Sequence, residues 1–227
     1  MKDKINLDYK KFLDKHLSNL IIPKNKKILI VGSSGFIGHN LVLSLLNQNS
    51  KKKNKIYGID ISKKKVIDKN FFYKKIDLYK YKKKFFSKIK FDYIINTAGI
   101  PSPVEYTKKP LETIFLNYDL SKKLLMRSVK DKAQFIYFSS SEIYGDPDIN
   151  NIPTKESYNG NVSPVSDRSV YDESKRMGET ITNLFKDKFK VKCKIIRPFN
   201  FYGQFMNKND QRSISKFFFN AKRNLDI

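Results

Sequence analysis

The 227-residue chain is 40% hydrophobic, enough to bury a real core, and carries a formal net charge of +24. Forty of its 46 basic residues are lysine, and runs such as SKKKNK and YKYKKKFF fall near expected loops and helix surfaces. Readers of nucleic acid cluster arginine with aromatics on one face, so specific nucleic-acid binding is set aside in favour of a solvated basic surface.

Residues 1–25 place Leu13, Leu17, Leu20 and Ile21 at helical spacing, which predicts an amphipathic, edge-covering helix as an N-terminal extension. From Lys26 the pattern alternates. KILIVG reads as a strand, 36–47 as a helix, KIYGID as a strand, 71–76 as a short strand and 79–88 as a helix. DYIINTAG is a strand and 110–129 a helix; QFIYFSS, a helix over 171–188 and KCKIIRPF follow. Apolar strands separated by helices describe an α/β doubly wound parallel sheet, Rossmann-like, over 26–197. A last helix near 210–223 lies in a segment, 198–227, that reads as the opening of a small, apparently truncated substrate lobe. Cys193 is the single cysteine, which excludes an internal disulfide, and it is expected to be buried and inert. No apolar run approaches a membrane span or a secretory core, so a soluble, cytoplasmic protein is expected. No metal site is expected.

GSSGFIG follows the first strand, with Gly32, Gly35 and Gly38 before a helix that opens with Phe36 and Ile37. Glycines there let the backbone turn tightly and approach a pyrophosphate whose charge meets the helix N-terminus. Asp60 ends the next strand about twenty residues on, where it can accept hydrogen bonds from a ribose 2′-hydroxyl and would repel a 2′-phosphate. NAD is therefore expected over NADP. Asp77, followed by Leu78, is placed to meet the adenine or to cap a helix. Thr97, Ala98 and Gly99 end the fourth strand with small side chains, against which a cofactor can lie.

The fifth strand stops at three serines and a glutamate, Ser139–Glu142, at the strand end where open α/β sheets bind ligands. Tyr171 and Lys175 are four apart, so on a helix they share a face. A lysine ammonium beside a phenol is expected to lower the phenol's pKa, and such a phenol can take a proton from a sugar hydroxyl as hydride leaves to a nicotinamide. Ser140 would hold that hydroxyl in line.

With GSSGFIG, SSSEIYGDP, YDESKR and RPFNFYG in place, the chain from about Lys26 onward resembles the extended short-chain dehydrogenase/reductases of the NAD-dependent epimerase/dehydratase family. PSPVEYTKKPLET and NVSPVSDRSVYDESKRMGET, with an arginine three before the tyrosine and another after the lysine, are most similar to the UDP-glucuronate decarboxylases within it. The resemblance implies Tyr171 as acid–base, Lys175 as its partner and ribose ligand, Ser140 as hydroxyl holder, and Ser141 and Glu142 beside the reacting end of the sugar. It also implies Tyr106 and Asn117 near the sugar, Asn200 near the diphosphate, Arg212 at a diphosphate-lobe position, and Pro198 in the segment beside the nicotinamide.

The chemistry so implied is oxidation at C4, loss of carbon dioxide from a β-keto acid, and reduction by the same cofactor; a homodimer and a UDP-sugar substrate come with it. GQFM stands where the family has Gly-Pro after the tyrosine of RPFNFYG. Ser141-Glu142, rather than Asp-Glu, disfavours a dTDP-glucose type 4,6-dehydratase, and a plain 4-epimerase would need neither Glu142 nor the arginines. A 4-epimerase, a 4,6-dehydratase and a non-catalytic NAD-binding protein remain the alternatives.

Overall fold

The computed structural model describes residues 7–17, 23–49, 52–63, 66–80, 85–207, 210 and 212–226. Among these, six strands form one parallel sheet: β1 (Lys27–Val31), β2 (Lys55–Asp60), β3 (Phe71–Lys75), β4 (Tyr93–Asn96), β5 (Gln134–Phe138) and β6 (Cys193–Ile196). Their order is β3-β2-β1-β4-β5-β6, so chain direction across the sheet reverses between β1 and β4. In a doubly wound sheet that reversal opens a crevice at the carboxyl strand ends. The central strands are apolar on both faces because both are covered: Leu29, Ile30, Ile94 and Phe135 are all completely buried.

Helix α1 (Leu7–Leu17) packs against α2 (Phe36–Asn47), and its Tyr9 and Leu13 join the cluster built on Ile28, Ile30, Val42 and Leu43. It is thus a second layer over a face helix rather than the edge cover expected, since Tyr9 donates to the Asn40 Oδ1 and Asn47 reaches Asp14 at 2.8 Å. Leu20 and Ile21 lie outside the described residues. The helix expected over 79–88 is not formed in its described parts. Asp77 Oδ1 accepts from the Tyr79 amide at 3.0 Å and so closes a turn, and Phe86 has φ +46°, which an α-helix does not accommodate. Residues 81–84 lie outside the described residues. Phe85 and Phe86 pack on the core from that turn.

The helix expected over 110–129 is continuous but uneven. Short α3 (Pro103–Lys108) and α4 (Pro110–Ile114) precede a π-helical turn at Phe115–Asp119, and α5 runs Leu120–Asp131. The turn offers the Asn117 carbonyl to the Ser121 hydroxyl at 2.8 Å and the Tyr137 hydroxyl at 3.3 Å. Helix α6 (Ser169–Phe189) lies alongside, and a Cβ at Gly178 would stand 2.1 Å from the Tyr137 hydroxyl oxygen. Only glycine lets α6 approach so closely. Past β6 the chain crosses the carboxyl strand ends before α7 (Ser213–Lys222). Cys193 is half-buried rather than buried, because β6 is an edge strand, and burial pushes its thiol up to about 11.

Candidate active site

The turn after β1 is held by backbone geometry. Gly32 has φ +83°, and a Cβ at Gly38 would lie 2.1 Å from the Gly32 carbonyl oxygen, so both must be glycine for α2 to start where it does. Gly35 is the N-cap of α2 and has no side chain to satisfy the first amides, which leaves them facing the crevice. The Asp60 carboxylate accepts from the Ser34 amide and the Ser62 amide, each at 2.9 Å, so it braces this turn as well as lining the crevice.

Two cavities open along the strand ends. One, of about 620 Å³, is walled by Gly32, Asp60, Asp77, Leu78 and Ala98; the other, of about 360 Å³, by Phe36, Ile37, Pro198 and the serine, tyrosine and lysine cluster. They share Gly35, Thr97, Gly99 and Pro101, so together they form one elongated trough across the reversal between β1 and β4. A dinucleotide fits this shape. Asp60 stands at one end, small residues line the middle, and a Cβ at Gly99 would be no nearer than 3.5 Å to the atoms around it.

In the smaller cavity the chain just past β5 supplies Ser139 and Ser140, a 3₁₀ turn Ser141 and Glu142, the N-cap of α6 Arg168, and α6 itself Tyr171 and Lys175. The Ser140 hydroxyl caps the 3₁₀ turn, accepting from the Glu142 amide at 3.3 Å, and shares the cavity wall with the Tyr171 phenol. Lys175 is 5% exposed and its ammonium donates to the Phe138 carbonyl at 2.8 Å. Burial pushes that amine down to about 7, with Glu179 opposing. The phenol of Tyr171 is pushed up, not down: burial dominates, the Ser140 hydroxyl and the Arg212 charge oppose it, and Asp172 and Tyr106 reinforce it. The expected lowering by Lys175 is thus corrected, because a dry site penalises phenolate and the lysine is itself drawn toward neutrality.

The two arginines that flank the tyrosine–lysine pair part company. At 100° per residue, Arg168 lies about 60° around the helix from Tyr171 and faces the cavity, whereas Arg176 lies about 140° away. Arg176 instead donates to the Ile143 carbonyl at 2.9 Å and the Asn159 carbonyl at 2.7 Å, tying down the loop after Glu142. Arg168 pairs with the Glu142 carboxylate and approaches Asp172 at 3.7 Å. Glu142 therefore engages a guanidinium rather than capping backbone.

Tyr106, Asn200 and Arg212 line the same cavity, Arg212 being paired with Asp210 at 3.0 Å. Asn117 does not line either part of the trough. It is fully buried in the π-helical turn, its amide donating to the Ser174 hydroxyl at 2.9 Å, while its Oδ1 has no partner beneath Gly99. Gly38 likewise sits under the turn instead of in the wall. Arg168 was legible only as a motif neighbour, although its spacing of three from Tyr171 places both on one helical face. Phe138, Phe199 and Phe201 in the cavity wall carried no sequence signal, since loop and strand-end aromatics look alike in any setting. Among the described residues no cluster of three or more His, Cys, Asp or Glu is placed to hold a metal, and no helix is long and apolar enough to cross a membrane.

Residues 28–227 match the NAD dependent epimerase/dehydratase family. UDP-glucuronic acid decarboxylase 3 of Arabidopsis thaliana is 35% identical over 202 residues, covering 88% of this chain and 58% of that protein. UDP-glucuronic acid decarboxylase 1 of Danio rerio is 29% identical over 196 residues, 86% of this chain and 46% of that protein. Among solved structures, a UDP-N-acetylglucosamine 4-epimerase from Methanobrevibacter ruminantium, in complex with UDP-N-acetylmuramic acid, superposes with a TM-score of 0.74. It is 27% identical, covering 89% of this chain and 64% of that one. The chain thus spans less than two thirds of the length of these relatives.

Proposed function

The chain belongs to the NAD dependent epimerase/dehydratase family, and on that premise we propose that it acts as an NAD-dependent UDP-glucuronate decarboxylase. The observation that carries this reading is the joining of Ser140, Tyr171 and Lys175 to the Glu142–Arg168 pair in one cavity, at the end of a trough shaped for a dinucleotide. Gly32, Gly35, Phe36, Ile37, Asp60, Asp77, Leu78, Thr97, Ala98 and Gly99 would hold NAD, with Lys175 and Pro198 at its reactive end. When bound, NAD supplies the acceptor for hydride from the sugar C4 and returns it after the carbon is lost.

The protein's share of the chemistry is proton handling and position. Ser140 aligns the sugar 4-hydroxyl on the Tyr171 phenolic oxygen, which as phenolate takes the proton during oxidation and as phenol gives it back at the final reduction. Lys175, neutral or charged near pH 7, sets the field around that phenol. Once C4 is a ketone, the adjacent C5 carboxylate is a β-keto acid, and loss of carbon dioxide needs only water exclusion and a group to protonate the resulting enolate carbon. Glu142, beside the serines, is assigned that place, taking up a proton from solvent when it leaves Arg168 and passing it to the carbon. The buried ring of Tyr106, stacked on Tyr171, keeps the phenol from turning away.

Ser141, Asn200 and Arg212 line the cavity where the sugar and diphosphate would lie, and Asn117 acts from behind it through Ser174. Helices α5 and α6 expose Met126, Met177 and Leu184, which supports pairing of two copies across them; a cytoplasmic homodimer belongs to this reading. Supplying the protein with NAD and UDP-glucuronate should give a UDP-pentose. If a UDP-hexose epimer forms instead, the chain is a 4-epimerase, the second activity for which a structural relative speaks.

A further inference from the structure

Cations in the smaller cavity differ in how firmly they are engaged. Lys175 is buried and donates to the Phe138 carbonyl, and Arg212 is held by both oxygens of Asp210 at 3.0 Å. Arg168 is different: its side chain is 53% exposed, and the carboxylate it meets, that of Glu142, also faces the cavity and is 32% exposed. On the other side, Asp172 lies 3.7 Å from the Arg168 Nε and is 7% exposed, so the guanidinium has one fixed anchor and one exchangeable partner.

A guanidinium has five donors in a planar fork that matches a carboxylate. Close by, the Tyr106 hydroxyl is buried and has no hydrogen-bond partner, although its ring forms part of the cavity wall and it lies within the electrostatic reach of Arg168. A buried donor left without a partner is destabilising and so favours an oxygen ligand beside it.

We propose that Arg168 is the receptor for the sugar's carboxylate, and that the Glu142–Arg168 ion pair is the lock an acidic sugar opens by exchange. The inference rests on the nucleotide-sugar reading above and adds to it the residue that selects acid from neutral sugars. An entering carboxylate takes the Arg168 fork and the Tyr106 hydroxyl, and Glu142 is released toward the serines. A neutral hexose has nothing to exchange, so the pair stays closed and Glu142 stays bound. Glu142 thus opposes acid binding while it waits and becomes available only when the right substrate is present.

Calorimetric titration of UDP-glucuronate and of UDP-glucose into the NAD-loaded protein tests this. Wild type should prefer the acid. Arg168→Met should weaken UDP-glucuronate by about thirtyfold, the scale of a lost charge-assisted hydrogen-bond pair, and UDP-glucose by less than about threefold. Glu142→Gln, which removes the competing charge, should strengthen UDP-glucuronate several-fold and leave UDP-glucose in place. NAD affinity reports whether each variant is folded; should Arg168→Met lose it, the Glu142→Gln titration decides alone. Equal weakening of both sugars by Arg168→Met, or no gain for the acid in Glu142→Gln, overturns the proposal while the nucleotide-sugar reading survives. Binding of neither sugar nucleotide by wild type overturns both.

Discussion

The rings of Tyr106 and Tyr171 stack with centroids 5.2 Å apart and planes inclined by 16°, so the phenol that would move the proton is clamped by a second phenol from α3. Stacking and burial leave Tyr171 little freedom. Tyr171→Phe keeps the ring and its stack and removes only the hydroxyl. Turnover should fall by about 10³-fold or more while NAD affinity changes by less than about twofold, measured by product formation and by cofactor titration. Undiminished turnover would remove Tyr171 from the chemistry.

Asp60 braces the turn and, in the proposed reading, also meets the ribose; Asp60→Ala tests both. Losing the acceptor for the Ser34 and Ser62 amides should cost about 1–2 kcal/mol of stability by denaturant unfolding. Losing the charge should narrow the preference for NAD over NADP in parallel titrations. Equal binding of both cofactors by wild type would show that Asp60 does not meet the ribose.

Two glycines make a paired test of the trough. Gly38→Ala puts a carbon 2.1 Å from the Gly32 carbonyl oxygen, and should lower stability by about 1–3 kcal/mol as the turn is forced apart. Gly99→Ala meets only the Asn117 Oδ1 at 3.5 Å and the Lys175 Nζ at 3.7 Å, at a residue that lines both cavities. It should leave the unfolding midpoint almost unchanged and weaken NAD at least tenfold, on the order of 1.4 kcal/mol.

Lys175 titrates near 7 in the folded chain against 10.5 when solvated. Between those values the unfolded chain holds a proton that the folded chain has released, so wild-type stability rises with pH across the window. Lys175→Met lacks this linkage. Its stability relative to wild type should be greatest near about pH 7 and should decline by a few kcal/mol toward about pH 10, read from denaturant unfolding at each pH. A pH-independent difference would mean that the lysine is not buried as described.

The strands and the glycine turn before α2 were legible because each rests on a local rule, apolar runs for the one and glycine spacing for the other. The π-helical turn at Phe115–Asp119 was not, since one extra residue per turn leaves the apolar pattern of 110–129 intact and shows only in where the Asn117 carbonyl points. The family resemblance implies Asn117 near the sugar. The turn rotates it inward to Ser174. Arg168 and Arg176 look equivalent in sequence, and only helix geometry sends one to the cavity and the other to the Ile143 loop. The direction of the Tyr171 shift was beyond sequence altogether, because it depends on how dry the site is, which is a sum over every element around it.

The fate of the sugar's carboxyl carbon separates decarboxylation from every other reaction considered. With UDP-glucuronate labelled at that carbon and NAD present, the protein should release labelled carbon dioxide in step with a UDP-pentose, and Glu142→Gln should slow that release. Retention of the label in a UDP-hexuronate epimerised at C4 would contradict decarboxylation and leave the chain an epimerase built on the same trough.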